Sequence, residues 1–462
     1  MNRIVVLIIA VGGFLIDWLA CYPGFLYIDS IDQFTQALHN QYTDWHPPIM
    51  AAGWRLLNYI YEGPQGMLAF QLLLLWTSFY MIATTWCHRW PLFVVLLLLF
   101  AGAPYVQNFA GLIVKDAQMA LCWLLAVVIM LRTIYYNRKM RPWEAILTFL
   151  LITYGTMVRI NALPGALALY YLWVEDVYSG NLYKRVGLLC LVLTGLLLTN
   201  LTLTKLVLKP AKAYPEYKLI AHDLAGIQVK TGRSYWPSFI TNFPGFDSSY
   251  IRQKFTTATF DNIWWNGDKR QILPPLDESS RKILVADWKL ALRENPGTYL
   301  SNRFDGFLYY LQLKVRPDTT FFYYYPYIYT NPYGFSLKKG PVFQFMTSYI
   351  QANEHMPYMK PWFWLLLPVM QLLLTLTLPR GTFKKAGISL SVSSLLYLLP
   401  QFFIFQADTE FRYFYWCCLS TTLHTILLFT WYYLKSKKDP HLLEEDPAKE
   451  KTLRITEGST II

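Results

Sequence analysis

The chain has 462 residues, of which 54% are hydrophobic, 17% are aromatic and only 15% are charged. Soluble globular domains carry about 25% charged residues, so this composition favours a membrane protein over a soluble one. The net charge is +12, but the basic residues gather in short loops. Since the sequence has no basic helix or aromatic-basic repeat, we predict no nucleic-acid partner.

Apolar runs recur along the chain at lengths suited to a bilayer, which about 17–25 residues cross as a helix. No small-residue cleavage site follows the first run, so we expect it to be retained as a span. The sequence thus predicts an all-α polytopic membrane protein with about ten transmembrane helices and a mixed, mainly helical extracytoplasmic domain. The predicted spans are Ile4–Ala20, Gly66–Trp86, Leu92–Val106, Ile113–Leu131, Trp143–Val158, Ala162–Val174, Val186–Leu206, Trp362–Leu378, Ile388–Phe405 and Tyr413–Leu434.

The loops between these spans alternate in charge. Cytoplasmic loops carry an excess of Lys and Arg, and every second loop here is basic. Ten spans with both ends in the cytoplasm require this alternation. We therefore expect both termini inside and the mixed acidic, basic and histidine-containing loops outside. The basic segments are Arg3, Arg89, Arg132–Arg141, Lys184–Arg185, Arg380–Lys385 and Lys435–Lys438.

Four regions follow from this pattern. Residues 1–208 form an N-terminal transmembrane module of seven helices with a first outer loop at 21–65. Residues 209–360 form the extracytoplasmic domain, and residues 361–436 form a C-terminal module of three membrane helices. Residues 437–462 are charged and poor in aromatic residues, which predicts a disordered cytoplasmic tail.

The extracytoplasmic block contains its own local signals. Arg281–Leu292 reads as a helix, and Asn295 followed by Pro296 is typical of the start of another. The aromatic runs Phe321–Tyr325 and Tyr327–Tyr329 could be domain core, could rest on the membrane interface, or could form a platform on which sugars stack.

The first outer loop carries the residues that matter most to a functional prediction. If Asp29 and Asp32 lie on a helix, their three-residue spacing places both carboxylates on one face. Either they act as a catalytic base with a supporting acid, or they are solvated acids of a polar loop. His46 precedes two prolines, which hold it in an extended turn where it could contact substrate or cap the loop.

Several cations fall on the same predicted side. Lys115, Arg159, Arg412 and Arg55 could bind a phosphate or diphosphate, and an arginine can do so with two parallel hydrogen bonds. Simpler explanations remain open: Lys115 could form a local ion pair with Asp116, and Arg159 could only extend its head group toward water.

The other polar residues near these cations have alternatives of the same kind. Asp408, Glu410 and Arg412 could form no more than a polar turn. Asp17 lies inside the first span, where we expect it to pair with one of the cations.

Several common chemistries lack their sequence motifs. No phosphate-binding loop, dinucleotide fingerprint or H-E-x-x-H zinc motif is present, and Cys and His are never clustered at zinc spacing. We therefore predict no cofactor and assign no metal ligand, while a divalent cation remains open.

With these residues in hand, the pattern resembles the GT-C type membrane glycosyltransferases. The resemblance rests on the acidic first loop, Lys115-Asp116 in a short second outer loop, Arg159 with Asn161, a late outer domain and the turn Glu410–Tyr413. The order Pro23-Gly24, Asp29-Ser30, Gln33 and His46-Pro47 is similar to the bacterial branch. The resemblance covers the membrane part, which is about two thirds of the chain. It extends to the outer domain only loosely.

The resemblance implies a function and a location. Such enzymes transfer a sugar from a polyprenyl-phosphate or polyprenyl-diphosphate lipid to a glycan, lipid or protein acceptor. By that likeness Asp29 is the catalytic base and Asp32 the second choice, with substrate bound by His46, Arg55, Lys115, Asp116, Arg159, Asn161, Glu410 and Arg412. The chain would lie in a bacterial inner membrane, with its active site on the periplasmic or extracellular face. Metal-using members often show Asp-x-Asp or Asp-Glu, from which the spacing here departs.

Other functions remain open from the sequence. A transporter or flippase of a lipid-linked sugar would need related halves and broken helices at mid-membrane, and no such repeat is visible. A polymerase or ligase of surface polysaccharide would need a similar outer site with both substrates linked to lipid. A scaffold without activity would leave the grouping of acids and cations unexplained.

Overall fold

The computed structural model describes residues 2–178, 180–264, 273–315, 321–404 and 410–437. Across these ranges the regular structure is helical, and extended segments meet only in isolated bridges. The first ten helices are α1 (Arg3–Cys21), α2 (Ile28–His39), α3 (Ile49–Asn58), α4 (Gln65–Thr85), α5 (Trp90–Leu96), α6 (Pro104–Gln107), α7 (Lys115–Tyr135), α8 (Pro142–Met157), α9 (Leu163–Val177) and α10 (Leu182–Thr202).

The remaining helices belong to the predicted outer block and to the C-terminal module. The block contains α11 (Glu216–Thr231), α12 (Ser238–Thr241), α13 (Ser248–Lys254), α14 (Asp261–Trp264), α15 (Glu278–Glu294), α16 (Pro296–Tyr310) and α17 (Pro341–Ala352). The C-terminal module contains α18 (Phe363–Leu376), α19 (Thr382–Leu398), α20 (Gln401–Ile404) and α21 (Tyr415–Ser436).

Five helical segments of the described chain are long and apolar enough to cross a membrane: α1, α4, α7, Leu182–Leu208 and Thr382–Phe403. By their length and composition, these five helices are suited to span a membrane. Leu182–Leu208 consists of α10 and a π-helical continuation, Leu203–Leu208.

The other predicted spans coincide with helices that are shorter or more polar. The predicted span Leu92–Val106 is not one helix. Helix α5 continues as a π-helix at Leu97–Ala101, this helix ends there, and the short helix α6 begins at Pro104. The full set of ten spans stays a prediction. Apart from Lys437, the predicted tail lies outside the described residues, as does Asp408.

Helix α7 lies at the centre of the bundle because it is apolar on every side. Nearly all of it is buried, and it packs against α4, α8 and α21. Helix α10 is the opposite case, since it packs mainly against α9 and leaves most of its leucines exposed. An apolar helix exposed in this way suits contact with lipid chains.

The predicted loops sort to two ends of the bundle. The loops holding Asp29, His46 and Arg159 meet the start of α7, as the contacts described below show. Three of the basic loops meet elsewhere in the bundle, where Glu175 pairs with both Arg185 and Lys385 and a cavity is lined by Arg138, Glu175 and Lys385. The alternation read from loop charge thus has a structural counterpart, while the assignment of one end to the cytoplasm stays a prediction.

The structure divides the predicted outer block into two parts. Residues between Tyr217 and Ala291 form a separate core around Leu224 and Ile240. Residues Tyr324, Tyr325 and Ile350 instead belong to the main core of the membrane bundle. The predicted helix at Arg281–Leu292 is found as α15, and Asn295 precedes Pro296 at the start of α16.

A cysteine-labelling experiment tests the predicted orientation. Gln253→Cys and Lys139→Cys are exposed positions at the two predicted sides, introduced with Cys190→Ala because Cys190 is the exposed native thiol of the described chain. We expect an impermeant thiol reagent to label Cys at 253 in intact cells with a permeable outer membrane. Position 139 should react only after the inner membrane is opened, and the reverse pattern would overturn the orientation.

Candidate functional site

Charged side chains from four separate outer segments converge at the start of α7. We call this group the Asp29 cluster. It contains Asp29, His46, Lys115, Asp116, Arg159, Glu410 and Arg412.

Asp29 lies in the first turn of α2, where the helix dipole favours a carboxylate. The helix begins at Ile28, and Ser30 Oγ accepts a hydrogen bond from the backbone N–H of Tyr27. The preceding segment is fixed to the chain that leads into α7: Phe25 N–H donates to Gly111 at 2.8 Å, and Phe25 C=O accepts from Ile113 at 3.0 Å. These two bonds hold the start of α2 close to the start of α7.

Arg412 joins the last outer segment to the first. It lies in a 3₁₀ turn, Phe411–Phe414, and its Nη1 is 3.2 Å from Asp29 Oδ2. Its Nε contacts Glu410, so one guanidinium contacts two carboxylates. The guanidinium also lies 5.1 Å from the ring centre of Tyr27 and 5.2 Å from that of Tyr413. Cation–π contacts of this kind strengthen when the group is desolvated.

His46 lies between Asp29 and Lys115. Lys115 Nζ is 2.5 Å from His46 Nδ1, and His46 Nε2 is 3.5 Å from Asp29 Oδ1. An ammonium group can only donate, so Nδ1 accepts and the hydrogen of the neutral ring resides on Nε2, facing Asp29. Burial, together with the charge of Lys115, lowers the pKa of His46 and keeps the ring neutral at neutral pH. His46 thus orients Asp29 as well as lining the site.

Asp116 pairs with Arg159 deeper in the bundle. Arg159 Nη1 is 2.5 Å from Asp116 Oδ1, and both side chains are buried. The Arg159 guanidinium lies 4.8 Å from the ring centre of Tyr413, the same ring that Arg412 contacts. The expected alternatives of a local Lys115–Asp116 pair and of a water-seeking Arg159 are therefore wrong, because successive helical residues point in different directions.

The three carboxylates of the cluster differ in their access to solvent, and the pKa values of Asp29 and Glu410 shift in opposite directions. The pKa of Asp29 lies well below its usual range. Burial alone would raise this pKa, but the nearby charge of Arg412, together with His46 and Lys115, lowers it by more. Burial raises the pKa of Glu410. The side chain of Asp29 is 18% exposed, against 8% for Glu410 and 1% for Asp116. Asp29 is thus ionised and the most accessible of the three.

Two other predicted residues lie outside the network of contacts. Asp32 is exposed and accepts a hydrogen bond from Gln36 at 2.7 Å. Arg55 donates to the carbonyl of Ala37 at 3.2 Å and stacks on Tyr59. The structure therefore separates Asp29 from Asp32, and it gives Arg55 a role in holding α3 to α2.

The last two outcomes concern Asn161 and Asp17. Asn161 is buried in the 3₁₀ turn that follows Arg159. Asp17 was expected to pair with a cation, and this expectation is wrong. Its carboxylate accepts a hydrogen bond from the indole N–H of Trp76 at 2.8 Å, a neutral donor that α4 places beside α1.

A groove opens beside the cluster, with a volume of about 750 Å³. His46 and Arg159 of the cluster line it, as do lysines of the turn that follows α10. Most of its lining surface is apolar. We call it the α10 groove, and its described lining residues are Asp44, His46, Pro47, Pro48, Thr156, Met157, Arg159, Leu163, Leu196, Leu197, Asn200, Thr204, Lys205, Lys209, Pro210 and Lys212.

The charges of the three lysines that line the groove, Lys205, Lys209 and Lys212, are only partly balanced. Lys212 pairs with Asp44 at 3.0 Å, whereas no ion pair of Lys205 or Lys209 occurs within the described ranges of the chain. Lys205 lies in the π-helical turn Leu203–Leu208 and Lys209 directly follows it. Such π-turns are frequent at functional sites. The groove therefore offers a mostly apolar wall together with two lysines that form no ion pair in the described chain.

No family model, curated protein or solved structure matches this chain. The likeness to GT-C glycosyltransferases consequently rests on the residues and their order alone.

Sequence reasoning named the turn Glu410–Tyr413 and gave sugar stacking as one alternative for the aromatic runs, but it assigned no site role to Tyr27, Tyr413 or the lysines of the groove. The ring of Tyr413 contacts the guanidinium groups of both Arg159 and Arg412. Since Tyr413 directly follows Arg412 in sequence, it could have been named as a site residue together with Arg412. Lys205 is a charged residue inside the predicted span Val186–Leu206, which is itself a signal of function. Tyr27 contacts Arg412 only because the fold brings the two ends of the chain together.

Two further features carry no assignment. In the part of the chain that the structure describes, no group of three or more His, Cys, Asp or Glu could hold a metal ion. A second cavity of about 500 Å³ lies at the opposite end of the bundle, lined by Arg138, Glu175, Asp176 and Lys385 among others. Its charges are engaged with one another or with neighbours, since Arg138 pairs with Glu144 and Lys385 with Glu175.

Replacing Arg412 should destabilise the fold more than replacing an arginine outside the cluster. Arg412→Leu leaves two carboxylates without their cation, so we expect the free energy of unfolding in detergent to fall by about 3–5 kcal/mol. Arg55→Leu, the matched control, should cost about 1 kcal/mol or less. Adding Glu410→Leu to Arg412→Leu should recover part of the loss. Equal effects of the two single variants would contradict the central role of Arg412.

The pH dependence of stability should carry the signature of Asp29. A carboxylate whose pKa is lowered on folding stabilises the protein above its unfolded pKa of about 3.9, and this contribution is lost as the pH falls toward the folded value. The difference in stability between wild type and Asp29→Asn should therefore narrow from pH 6 to pH 3. Denaturant titrations at each pH measure it, with Asp32→Asn as the control. A constant difference would show that Asp29 is not held ionised by the cluster.

Proposed function

We propose that the protein is a membrane glycosyltransferase that moves a sugar from a polyprenyl-phosphate or polyprenyl-diphosphate lipid to an acceptor outside the cytoplasm. The observation that carries this proposal is the position of Asp29: an ionised, partly accessible carboxylate whose partner His46 lines a groove with an apolar wall and several cationic side chains. An anionic lipid fits such a groove, and a carboxylate beside it can accept a proton.

The donor lipid would occupy the α10 groove. Leu196 and Leu197 on the apolar wall suit an isoprenoid chain, since apolar burial contributes roughly 25 cal/mol per Å². Lys205 and Lys209 offer charges that phosphate could take up. Arg159, which lines the groove and belongs to the Asp29 cluster, would then lie near the departing phosphate. The buried guanidinium of Arg412 would add a second positive charge nearby.

The reaction would be a single displacement. The acceptor oxygen attacks the anomeric carbon as the bond from that carbon to the phosphate oxygen breaks. The electron pair leaves with the lipid phosphate, and the acceptor proton passes to Asp29. The anomeric configuration inverts, because attack comes from the face opposite the leaving group.

The low pKa of Asp29 constrains the timing of proton transfer. A strongly acidic carboxylate is a weak base for a neutral hydroxyl. The hydroxyl becomes far more acidic once its oxygen has begun to bond to an oxocarbenium-like carbon, and a weak base then suffices. Catalysis would therefore depend mainly on positioning and on stabilisation of the phosphate charge by the cations.

Asp29→Asn tests the base directly, because it keeps the size of the side chain and removes its capacity to take a proton. We expect sugar transfer by purified protein from a lipid-linked donor to fall by about 10²–10⁴-fold, the range for loss of a general base. Asp32→Asn should retain transfer within a few-fold, since Asp32 is exposed, accepts a hydrogen bond from Gln36 and has no contact with the Asp29 cluster among the described residues. Activity lost in Asp32→Asn and kept in Asp29→Asn would move the base by one helical turn. Full activity of the double variant would exclude the first loop from the chemistry.

A second variant tests the donor groove. Lys205→Ala with Lys209→Ala removes two positive charges from the groove, so binding of undecaprenyl phosphate should weaken about tenfold or more, as expected for lost hydrogen bonds to a charged group. Lys184→Ala, at the opposite end of α10, is the matched control and should bind normally. Binding is measured in detergent by titration with the lipid. Unchanged affinity in the double variant would place the donor elsewhere.

A further inference from the structure

An aromatic surface borders the Asp29 cluster away from the α10 groove. Its accessible rings are those of Tyr27, Tyr327 and Tyr329, while the buried ring of Tyr325 packs against the first two; we call this group the Tyr27 shelf. The ring centre of Tyr27 lies 5.1 Å from that of Tyr325 and 5.6 Å from that of Tyr329. The rings of Tyr325 and Tyr327 are 5.7 Å apart, and those of Tyr327 and Tyr329 are 6.0 Å apart.

Backbone hydrogen bonds fix the shelf between the two segments that form the Asp29–Arg412 pair. Leu26, at the entry to α2, donates to the carbonyl of Tyr327 at 3.1 Å and accepts from the N–H of Tyr329 at 2.9 Å. At the other end of the run, Phe411 N–H donates to Phe322 C=O at 2.9 Å. The segment is therefore held against residues adjacent to both Asp29 and Arg412.

The shelf adjoins the reactive carboxylate through one side chain. The Tyr27 ring contacts the guanidinium of Arg412, which in turn lies 3.2 Å from Asp29. Among the described residues that line the α10 groove, none belongs to the shelf. A ligand on the shelf could thus approach Asp29 without displacing a lipid from the groove.

The chemistry of the shelf favours a neutral ligand with both apolar and hydroxyl surfaces. Tyr329 is 43% exposed, while Tyr27 and Tyr327 are half-buried. Residues 321–335 contain six tyrosines and no Asp, Glu, Lys or Arg. Tyrosine rings present an apolar face and a polar hydroxyl, which complement the C–H faces and hydroxyl edges of a sugar. An aliphatic lipid chain or a charged peptide would gain less from such a surface.

We propose that the Tyr27 shelf binds the acceptor and that the acceptor is a neutral glycan chain. The assignment of this ligand as the acceptor rests on the proposed glycosyltransferase function. The binding of a neutral glycan to the shelf does not depend on it. The shelf would hold one sugar of the glycan against its rings while the terminal hydroxyl reaches Asp29.

The test measures saccharide binding to the full-length protein in lipid nanodiscs, by calorimetry and saturation-transfer NMR. The probes are tetrasaccharides of glucose, mannose, rhamnose and N-acetylglucosamine. We expect at least one to bind, and Tyr329→Ala to weaken its binding by about three- to tenfold, the size of one aromatic stacking contact. Tyr329→Phe should retain most of the affinity because it keeps the ring. Tyr61→Ala, which removes another exposed tyrosine outside the shelf, should bind as wild type.

The outcomes separate the shelf from the proposed reaction. Asp29→Asn should bind the saccharide normally while losing transfer. Saccharide binding that depends on Tyr329, with no transfer by the wild type, would support the shelf and reject the glycosyltransferase. Absence of binding by all four probes, or equal affinity in Tyr329→Ala, would overturn the shelf even where Asp29-dependent transfer occurs. A shelf that only anchors the protein in the membrane interface would give this last result.

Discussion

The contact of Arg412 with Asp29 and Glu410 is the interaction on which the arrangement of the site depends. Two carboxylates and a guanidinium lie largely out of water, and burying any of them alone would cost several kcal/mol. Their mutual contacts compensate this cost only if the first outer loop and the last one meet. The same guanidinium contacts the rings of Tyr27 and Tyr413. Tyr27 connects it to the Tyr27 shelf, and Tyr413 connects it to Arg159, which pairs with Asp116.

The sequence predicted the helical membrane class and the polar ends because apolar length and loop charge are local signals. It left open whether Asp29 lies on a helix or in a polar loop, and it grouped the residues of the cluster by their predicted side. Pairing could not be read in this way: Asp29 and Arg412 are 383 positions apart, and only packing decides that Arg412 contacts Asp29 whereas Arg55 does not. Lys115 and Asp116 show the same limit, since adjacent helical residues acquired different partners. The neutral indole partner of Asp17 left no local signal.

The geometry also bears on the competing function of transport. A transporter of lipid-linked sugar would concentrate its binding groups near mid-membrane between two related halves. The described acids and cations of the Asp29 cluster instead lie where several helices begin, and the α10 groove runs along an apolar helix toward them. In the proposed enzyme the lipid remains in the groove, the glycan lies on the shelf and the two meet at Asp29. The groove and the shelf are assigned different ligands, so a substitution in one can be tested without changing the ligand of the other.

The central claim is that an anionic lipid reaches Asp29 through the α10 groove. An electron cryomicroscopy structure of the protein in nanodiscs with undecaprenyl phosphate tests this most directly. The account predicts density for the phosphate within hydrogen-bond distance of Lys205, Lys209 or Arg159, and an isoprenoid chain along Leu196 and Leu197. A phosphate bound at the opposite end of the bundle, or a groove that stays empty while the lipid binds elsewhere, would contradict it.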